Sequence, residues 1–270
     1  RREVRLVAVH KRYRRGADVL AGIDLELTPG RPVVVLGGNG TGKSTLLRIA
    51  AGCSAPTSGR VLGRPRRVGY LPADLGASDR MTARAWLAHL AAIRGSDRVT
   101  AARQAVALLA DLGFTGGLDA PMTQLSTGNA AKVGLAQALC GTPGLVVLDE
   151  PWSALDAAAA TVLDARLSAA TAVLLLADHT GRAAALPGVQ AVRLRSGRLF
   201  CDGRPVAPAQ TTVELRCPGD PAATAAVLPS VTWWASDGAV LTVRVPASLG
   251  DALLAAALAA GCSVLGVRRA

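Results

Sequence analysis

Apolar and polar residues alternate over 4–9 and again over 19–27, the period of a strand with one buried face, and a basic turn around 13–16 joins the two stretches. After the break at Thr28-Pro29-Gly30 the alternation stops. Residues 32–36 read Pro-Val-Val-Val-Leu, a short strand apolar on both faces, and 43–51 predict a helix. Two short strands follow at 59–62 and 67–71, and helical spacing then takes over at 82–94, 101–113 and 127–139. Unbroken apolar strands return at 145–149 and 173–177, separated by an Ala-rich helix near 156–169 and followed by a hairpin turning at Ser196-Gly197. Buried strands alternating with helices predict an α/β fold, a parallel sheet covered on both faces, interrupted by an all-helical insertion at about 76–142.

The composition shifts at 203–208, Gly-Arg-Pro-Val-Ala-Pro, which reads as a linker between a large domain, 1–203, and a small one, 209–270. Stretches 212–217, 221–227, 231–235, 239–245, 249–260 and 263–267 predict the order β-α-β-β-α-β, a small α+β ferredoxin-like module. Its expected core is Val213, Leu215 and Cys217 with Leu253, Leu254, Leu258, Val264 and Leu265.

Half of the 270 residues are apolar, but much of that is Ala, which favours helices over membrane spans. No basic-then-apolar segment opens the chain, so a cytoplasmic place is expected. Five cysteines, Cys53, Cys140, Cys201, Cys217 and Cys262, have no close spacing in sequence and read as reduced thiols. The formal net charge is +11, and residues 1–70 hold 14 Lys+Arg against 4 acids. Such clustering suits phosphate or nucleic acid as a partner. Arginine outnumbers lysine 27 to 3 throughout, however, so the surplus reads first as an Arg-biased composition and a solvated face.

One of the three lysines stands where chemistry requires it. Residues 37–45 read Gly-Gly-Asn-Gly-Thr-Gly-Lys-Ser-Thr, between the predicted strand and helix. In a loop of this kind the backbone of Gly37, Gly38, Asn39, Gly40, Thr41 and Gly42 curls so that its N–H groups face phosphate oxygens. Lys43 adds a mobile positive charge, Ser44 offers a hydroxyl to Mg²⁺, and Thr45 continues into a helix whose N-terminus favours an anion. A nucleoside triphosphate is the expected ligand. Further along, Asp149 ends an apolar strand as a second Mg²⁺ contact, and Glu150 is a carboxylate able to take a proton from water. Ser126 is a natural N-cap, Gly128 permits close backbone approach, and His179 follows the 173–177 strand.

In this order the segments resemble an ATP-binding cassette (ABC) protein over residues 3 to about 205. The resemblance implies a P-loop cassette with an antiparallel β subdomain and a helical subdomain. It makes 37–44 the Walker A loop, 145–149 the Walker B strand, Glu150 the catalytic glutamate, 153–156 the D-loop and His179 the switch histidine. Leu125-Ser-Thr-Gly-Asn129 looks like the family's Leu-Ser-Gly-Gly-Gln signature, and Tyr13 falls at the adenine-stacking position. Three departures stand out. Ala73 replaces the family's Q-loop glutamine, with Asp74 beside it; Thr127 and Asn129 alter the signature; and Trp152 occupies a usual Thr position, where it reads as packing.

The family's habit of pairing two cassettes head to tail implies a second copy of the chain, with Ser126 and Gly128 of one closing the ATP site of the other. The function implied is the ATP- and Mg²⁺-dependent ATPase subunit of a membrane transporter, an exporter, working through a separate transmembrane permease at the inner face of the membrane. The alternative is a soluble ABC-type ATPase acting on nucleic acid, ribosomes or protein assembly. Its one support is the basic N-terminus, and nucleic acid is not the expected partner.

Overall fold

Strand β3 (Val33–Leu36) lies inside a seven-stranded sheet of order β10-β9-β8-β3-β7-β6-β5. The computed structural model describes residues 3–13, 16, 18–75, 81–201, 204–205, 210–246 and 249–269. The sheet is parallel among β5 (Val68–Leu71), β6 (Leu145–Asp149), β7 (Val173–Ala177), β3 and β8 (Gln190–Arg195). It ends in an antiparallel ribbon of β9 (Arg198–Cys201) and β10 (Arg204–Pro205). Every residue of β6 and β7 is buried, and for that reason these runs show no polar alternation.

Odd and even positions of the sheet serve different cores. Val33, Val35, Leu145, Val147, Val173 and Leu175 pack with α1 (Lys43–Ala51) and with a three-stranded antiparallel sheet, order β2-β1-β4. That sheet contains β1 (Val4–Arg12), β2 (Asp18–Leu27) and β4 (Ser58–Leu62). Val34, Val146, Leu148, Leu174 and Leu176 face the helices α2 (Ala83–Ile93), α3 (Arg98–Asp111), α4 (Thr127–Leu139) and α5 (Ala157–Ser168). Both faces are thus covered, as expected, and the helical insertion is present; its predicted start at 76–80 lies outside the described residues. Helix α3 begins before the predicted 101, because Asp97 caps it by accepting the Thr100 amide at 2.7 Å.

The linker prediction needs correction at one point. Arg204 and Pro205 pair with Cys201 and Phe200, so the large sheet runs past 203; positions 203 and 206–208 lie outside the described residues. Beyond them β11 (Gln210–Arg216), α6 (Pro221–Val227), β12 (Trp233–Asp237), β13 (Val240–Pro246), α7 (Gly250–Ala259) and β14 (Ser263–Arg269) form an antiparallel sheet of order β12-β13-β11-β14. This is the predicted split βαβ arrangement, with its own core of Val213, Leu215, Cys217, Leu241, Val243, Val245 and Leu253.

Three predicted core residues are exposed instead: Leu258, Val264 and Leu265. Helix α7 is Ala- and Leu-rich all round, so its sequence hides which face turns inward, and β14 is an edge strand with a register shift opposite Glu214 and Leu215. The fold also brings Cys217 and Cys262 together, Sγ to Sγ 3.9 Å, as free buried thiols that sequence spacing did not pair. Arg60 and Asp251 form an ion pair at 3.4 Å between this module and the antiparallel sheet of the larger part.

Because the two parts have separate cores, a chain ending at Pro205 should unfold in one cooperative transition, as should a fragment starting at residue 206. Thermal melts followed by circular dichroism test this; a truncated chain that shows helix but no cooperative melt would mean the module completes the larger core.

Candidate functional site

Strand β3 delivers the chain into a reversal that only glycine can make. Gly40 and Gly42 have φ of 75° and 104°, in the left-handed region. A Cβ at Gly42 would also lie 2.9 Å from Val19 Cγ1 and 3.0 Å from the Val19 carbonyl oxygen, so conformation and space both exclude a side chain. Gly42 caps α1 without a side-chain hydrogen bond, which leaves the first amides of α1 free of a capping side chain. Lys43 is only 7% exposed, and its Nζ donates to the carbonyls of Gly37 at 2.7 Å and Gly38 at 3.2 Å. The Thr41 hydroxyl donates to the Gly38 carbonyl at 2.9 Å. The loop therefore satisfies its own buried charge.

Around this loop lies a cavity of about 490 Å³. Tyr13, Gly38, Asn39, Gly40, Gly42, Lys43, Ser44, Thr45, Asp149 and Glu150 all line it, while Gly37 and Thr41 brace the loop through the bonds just given. Tyr13 is half exposed at the cavity wall, with Lys11 Nζ 5.1 Å from its ring centroid. Ala73 also lines the cavity; Asp74 does not, and faces a neighbouring groove of about 250 Å³ instead.

Asp149 is 3% exposed, and burial pushes its carboxyl above the usual range, with the charge of Glu150 adding to the rise. A hydrogen bond with the Ser44 hydroxyl opposes that shift, helped by the positive charges of Lys43 and Arg48. Ser44 and Asp149 thus offer hard oxygens side by side under a strained ionisation balance, a donor set that fits Mg²⁺. Among the described residues no group of three His, Cys, Asp or Glu side chains could hold a metal unaided. Glu150 follows at φ 54°, a left-handed conformation unusual for a side-chain-bearing residue, held by its amide donating to the Ala177 carbonyl at 2.9 Å. Its Oε2 accepts from the His179 amide at 3.1 Å and pairs closely with His179 Nδ1.

Ser126 and Gly128 are not in this cavity. Ser126 caps α4, accepting the Asn129 amide at 3.3 Å, and its neighbours Leu125 and Thr127 line the adjoining groove with Asp149 and Glu150. Asn129 is tied to Thr115 by two bonds, 3.3 and 3.2 Å, so the altered signature residue is built into the helical part. Trp152 is buried as expected, and its indole N–H also donates to Asp164 at 2.9 Å, which pairs in turn with Arg182 at 2.8 Å. Sequence reasoning passed over Lys132, which is buried and bonded to Asp156; its rarity among 27 arginines was the available signal.

The Asp149 balance has a measurable consequence. A carboxyl whose folded pKa is raised favours folding at acid pH, and that advantage is lost as pH rises through the raised value. Above that value the ionised, buried group opposes folding. Asp149→Asn should therefore raise the melting temperature of the chain alone at pH 7, while removing any extra stabilisation that Mg²⁺ adds to ATP. A lower melting temperature with the Mg²⁺ effect retained would contradict both parts.

The family model described as "ABC transporter" matches residues 20–153. A cytochrome c biogenesis ATP-binding export protein of Bordetella bronchiseptica is 37% identical over 174 residues, covering 59% of this chain and 76% of that protein. A zinc import ATP-binding protein of Pseudomonas fluorescens is 38% identical over 156 residues, 57% of this chain and 58% of that protein. The chain thus spans little more than half the length of some curated relatives it matches. Among solved structures, a dimeric bacterial ABC transporter cassette superposes with a TM-score of 0.61 at 22% identity, over 73% of this chain and 98% of that one. With the phosphate loop, the buried acidic strand end and these relatives in agreement, the chain belongs to the ABC transporter family, as one of its ATP-binding cassettes.

Proposed function

We propose that this chain is the ATP-hydrolysing subunit of a membrane transporter, driving a separate transmembrane permease through ATP-dependent pairing of two cassettes. The observation that carries the reading is the single cavity that collects Lys43, Ser44, Asp149 and Glu150 from segments far apart in sequence. ATP lies there with its adenine against Tyr13 and its phosphates against the amides of the loop. Lys43 exchanges the Gly37 and Gly38 carbonyls for phosphate oxygens. Ser44 and Asp149 would hold Mg²⁺, which supplies charge neutralisation on the phosphates when bound. Glu150 accepts a proton from the water that attacks the γ-phosphate, and His179 fixes the carboxylate that does so.

Ser126 and Gly128 lie outside their own chain's cavity, and this placement supports a second copy whose ATP they would close over. The dimeric cassette of the same fold is consistent with such pairing. No helix of the described residues is long and apolar enough to cross a membrane, and the proposal assigns the spanning segments to the permease, with this chain at the inner face. Export is the finer reading, drawn from a single cassette with a small C-terminal module; the relatives' names include both zinc import and an export protein.

Glu150→Gln keeps the size and polarity of the side chain but removes the base. It should lower ATP turnover on the order of 10²- to 10⁴-fold with ATP affinity retained. It should also convert a transient dimer into one that persists in ATP on size-exclusion chromatography. Turnover equal to the unaltered chain would remove Glu150 from this role.

A further inference from the structure

The sheet of the C-terminal module has two edge strands, β12 and β14, and they are built differently. β14 carries devices that keep a sheet edge from pairing: a register shift opposite Glu214 and Leu215, Gly266 within the strand, and Arg268 paired with Glu214. β12 carries none of these. Its register with β13 runs without a shift from Trp233 to Asp237, it holds no Lys, Arg, Pro or Gly, and all five of its residues are exposed. Two of the chain's four tryptophans, Trp233 and Trp234, stand side by side here, each 44% exposed. An even aromatic edge with a free row of backbone N–H and C=O groups is a template for another strand.

The side chains of β12 also show which strand would fit. Trp234 and Ser236 share the face of the core residues Val243 and Leu241, whereas Trp233, Ala235 and Asp237 point to the other face, opposite Arg244, Thr242 and Val240. On that second face the Arg244 guanidinium lies 4.4 Å from the Trp233 ring centroid. Neither Arg244 nor Asp237 forms an ion pair among the described residues. A second, antiparallel β12 laid along the first, with the two-fold axis at Ala235, satisfies both. It sets Asp237 of the second copy opposite Trp233 and in line with Arg244, and symmetry makes the same row twice. This is also the one antiparallel register that pairs all five residues.

We infer that β12 is a surface by which two copies of this chain associate, edge to edge and antiparallel about Ala235, joining two modules into one continuous sheet. A five-residue edge is a small joint, so the association is reversible and set by protein concentration. It needs no nucleotide, because no residue of β12 lines the phosphate-loop cavity. The contact stands apart from the proposed function but serves it. When two cassettes separate after hydrolysis, paired modules keep them within reach of each other for the next ATP-dependent pairing, a gain in effective concentration.

Analytical ultracentrifugation of the full chain without nucleotide reads this contact apart from any ATP-dependent one. The unaltered chain should pass from monomer to dimer as its concentration rises. Asp237→Arg brings like charges together at both ends of the joint and should raise the dissociation constant about tenfold, the sum of two cross-strand charge pairs. Combining Asp237→Arg with Arg244→Asp exchanges the signs and should recover most of that loss, which a merely damaged strand would not. Ala235→Lys, at an exposed position on the axis, should weaken pairing by a similar factor and decides the matter if the combined variant does not fold. Residues opposite each other in an antiparallel pair have Cα atoms about 5 Å apart, within disulfide range. Cys53→Ser with Ala235→Cys should therefore form a covalent dimer when treated with a small-molecule disulfide, and Cys53→Ser alone should not. A chain that stays monomeric up to about 1 mM, or a dimer that Asp237→Arg and Ala235→Lys both leave unchanged, overturns the inference. The nucleotide reading survives either of those results.

Discussion

The ammonium of Lys43 has almost no access to solvent, and everything around it is arranged to make that tolerable. A buried charge without acceptors costs several kcal/mol, so the carbonyls of Gly37 and Gly38 must turn inward, which in turn forces the loop through the left-handed conformations at Gly40 and Gly42. The closure of Val19 against Gly42 then fixes the antiparallel sheet beside the loop. A loop whose charge is held by its own carbonyls can release that charge to a stronger acceptor without rebuilding the fold. Triphosphate oxygens are such an acceptor.

The parallel sheet explains why the other groups arrive at the same edge. Neighbouring parallel strands end on the same side, so β3 delivers the phosphate loop, β5 Ala73, β6 Asp149 and Glu150, and β7 His179. Ligands of open α/β sheets bind at the carboxyl ends of the strands for this reason. The close pairing of Glu150 with His179 follows from the direct adjacency of β6 and β7, where Asp149 pairs with Ala177. Ser126 and Gly128, at the start of α4, do not line the phosphate-loop cavity at this edge.

Much of this was legible in sequence because buried parallel strands leave uninterrupted apolar runs and phosphate loops use residues that little else demands. The bounds of α1, α4, β6 and β7 match the residue pattern fully. Contacts created by packing were not legible. The Lys132–Asp156 and Trp152–Asp164 bonds join residues whose partners no periodicity specifies, and the Cys217–Cys262 contact arises where α7 returns the chain to β11. The faces of α7 were misread because a helix of Ala and Leu on every side offers no contrast. Ala73 was identified as a departure, but only the structure shows that it lines the cavity while Asp74 turns to the groove beside it.

The account stands on Lys43 being a phosphate group's partner held in reserve by its own loop. Titration calorimetry of the full chain with ATP and Mg²⁺, beside Lys43→Met, tests this most directly. Methionine keeps the apolar stem that packs in the loop and removes the charge. The unaltered chain should show saturable binding, and the variant should melt as a folded protein yet give no binding heat at the same concentrations. Equal affinity in the two proteins would contradict the account at its base.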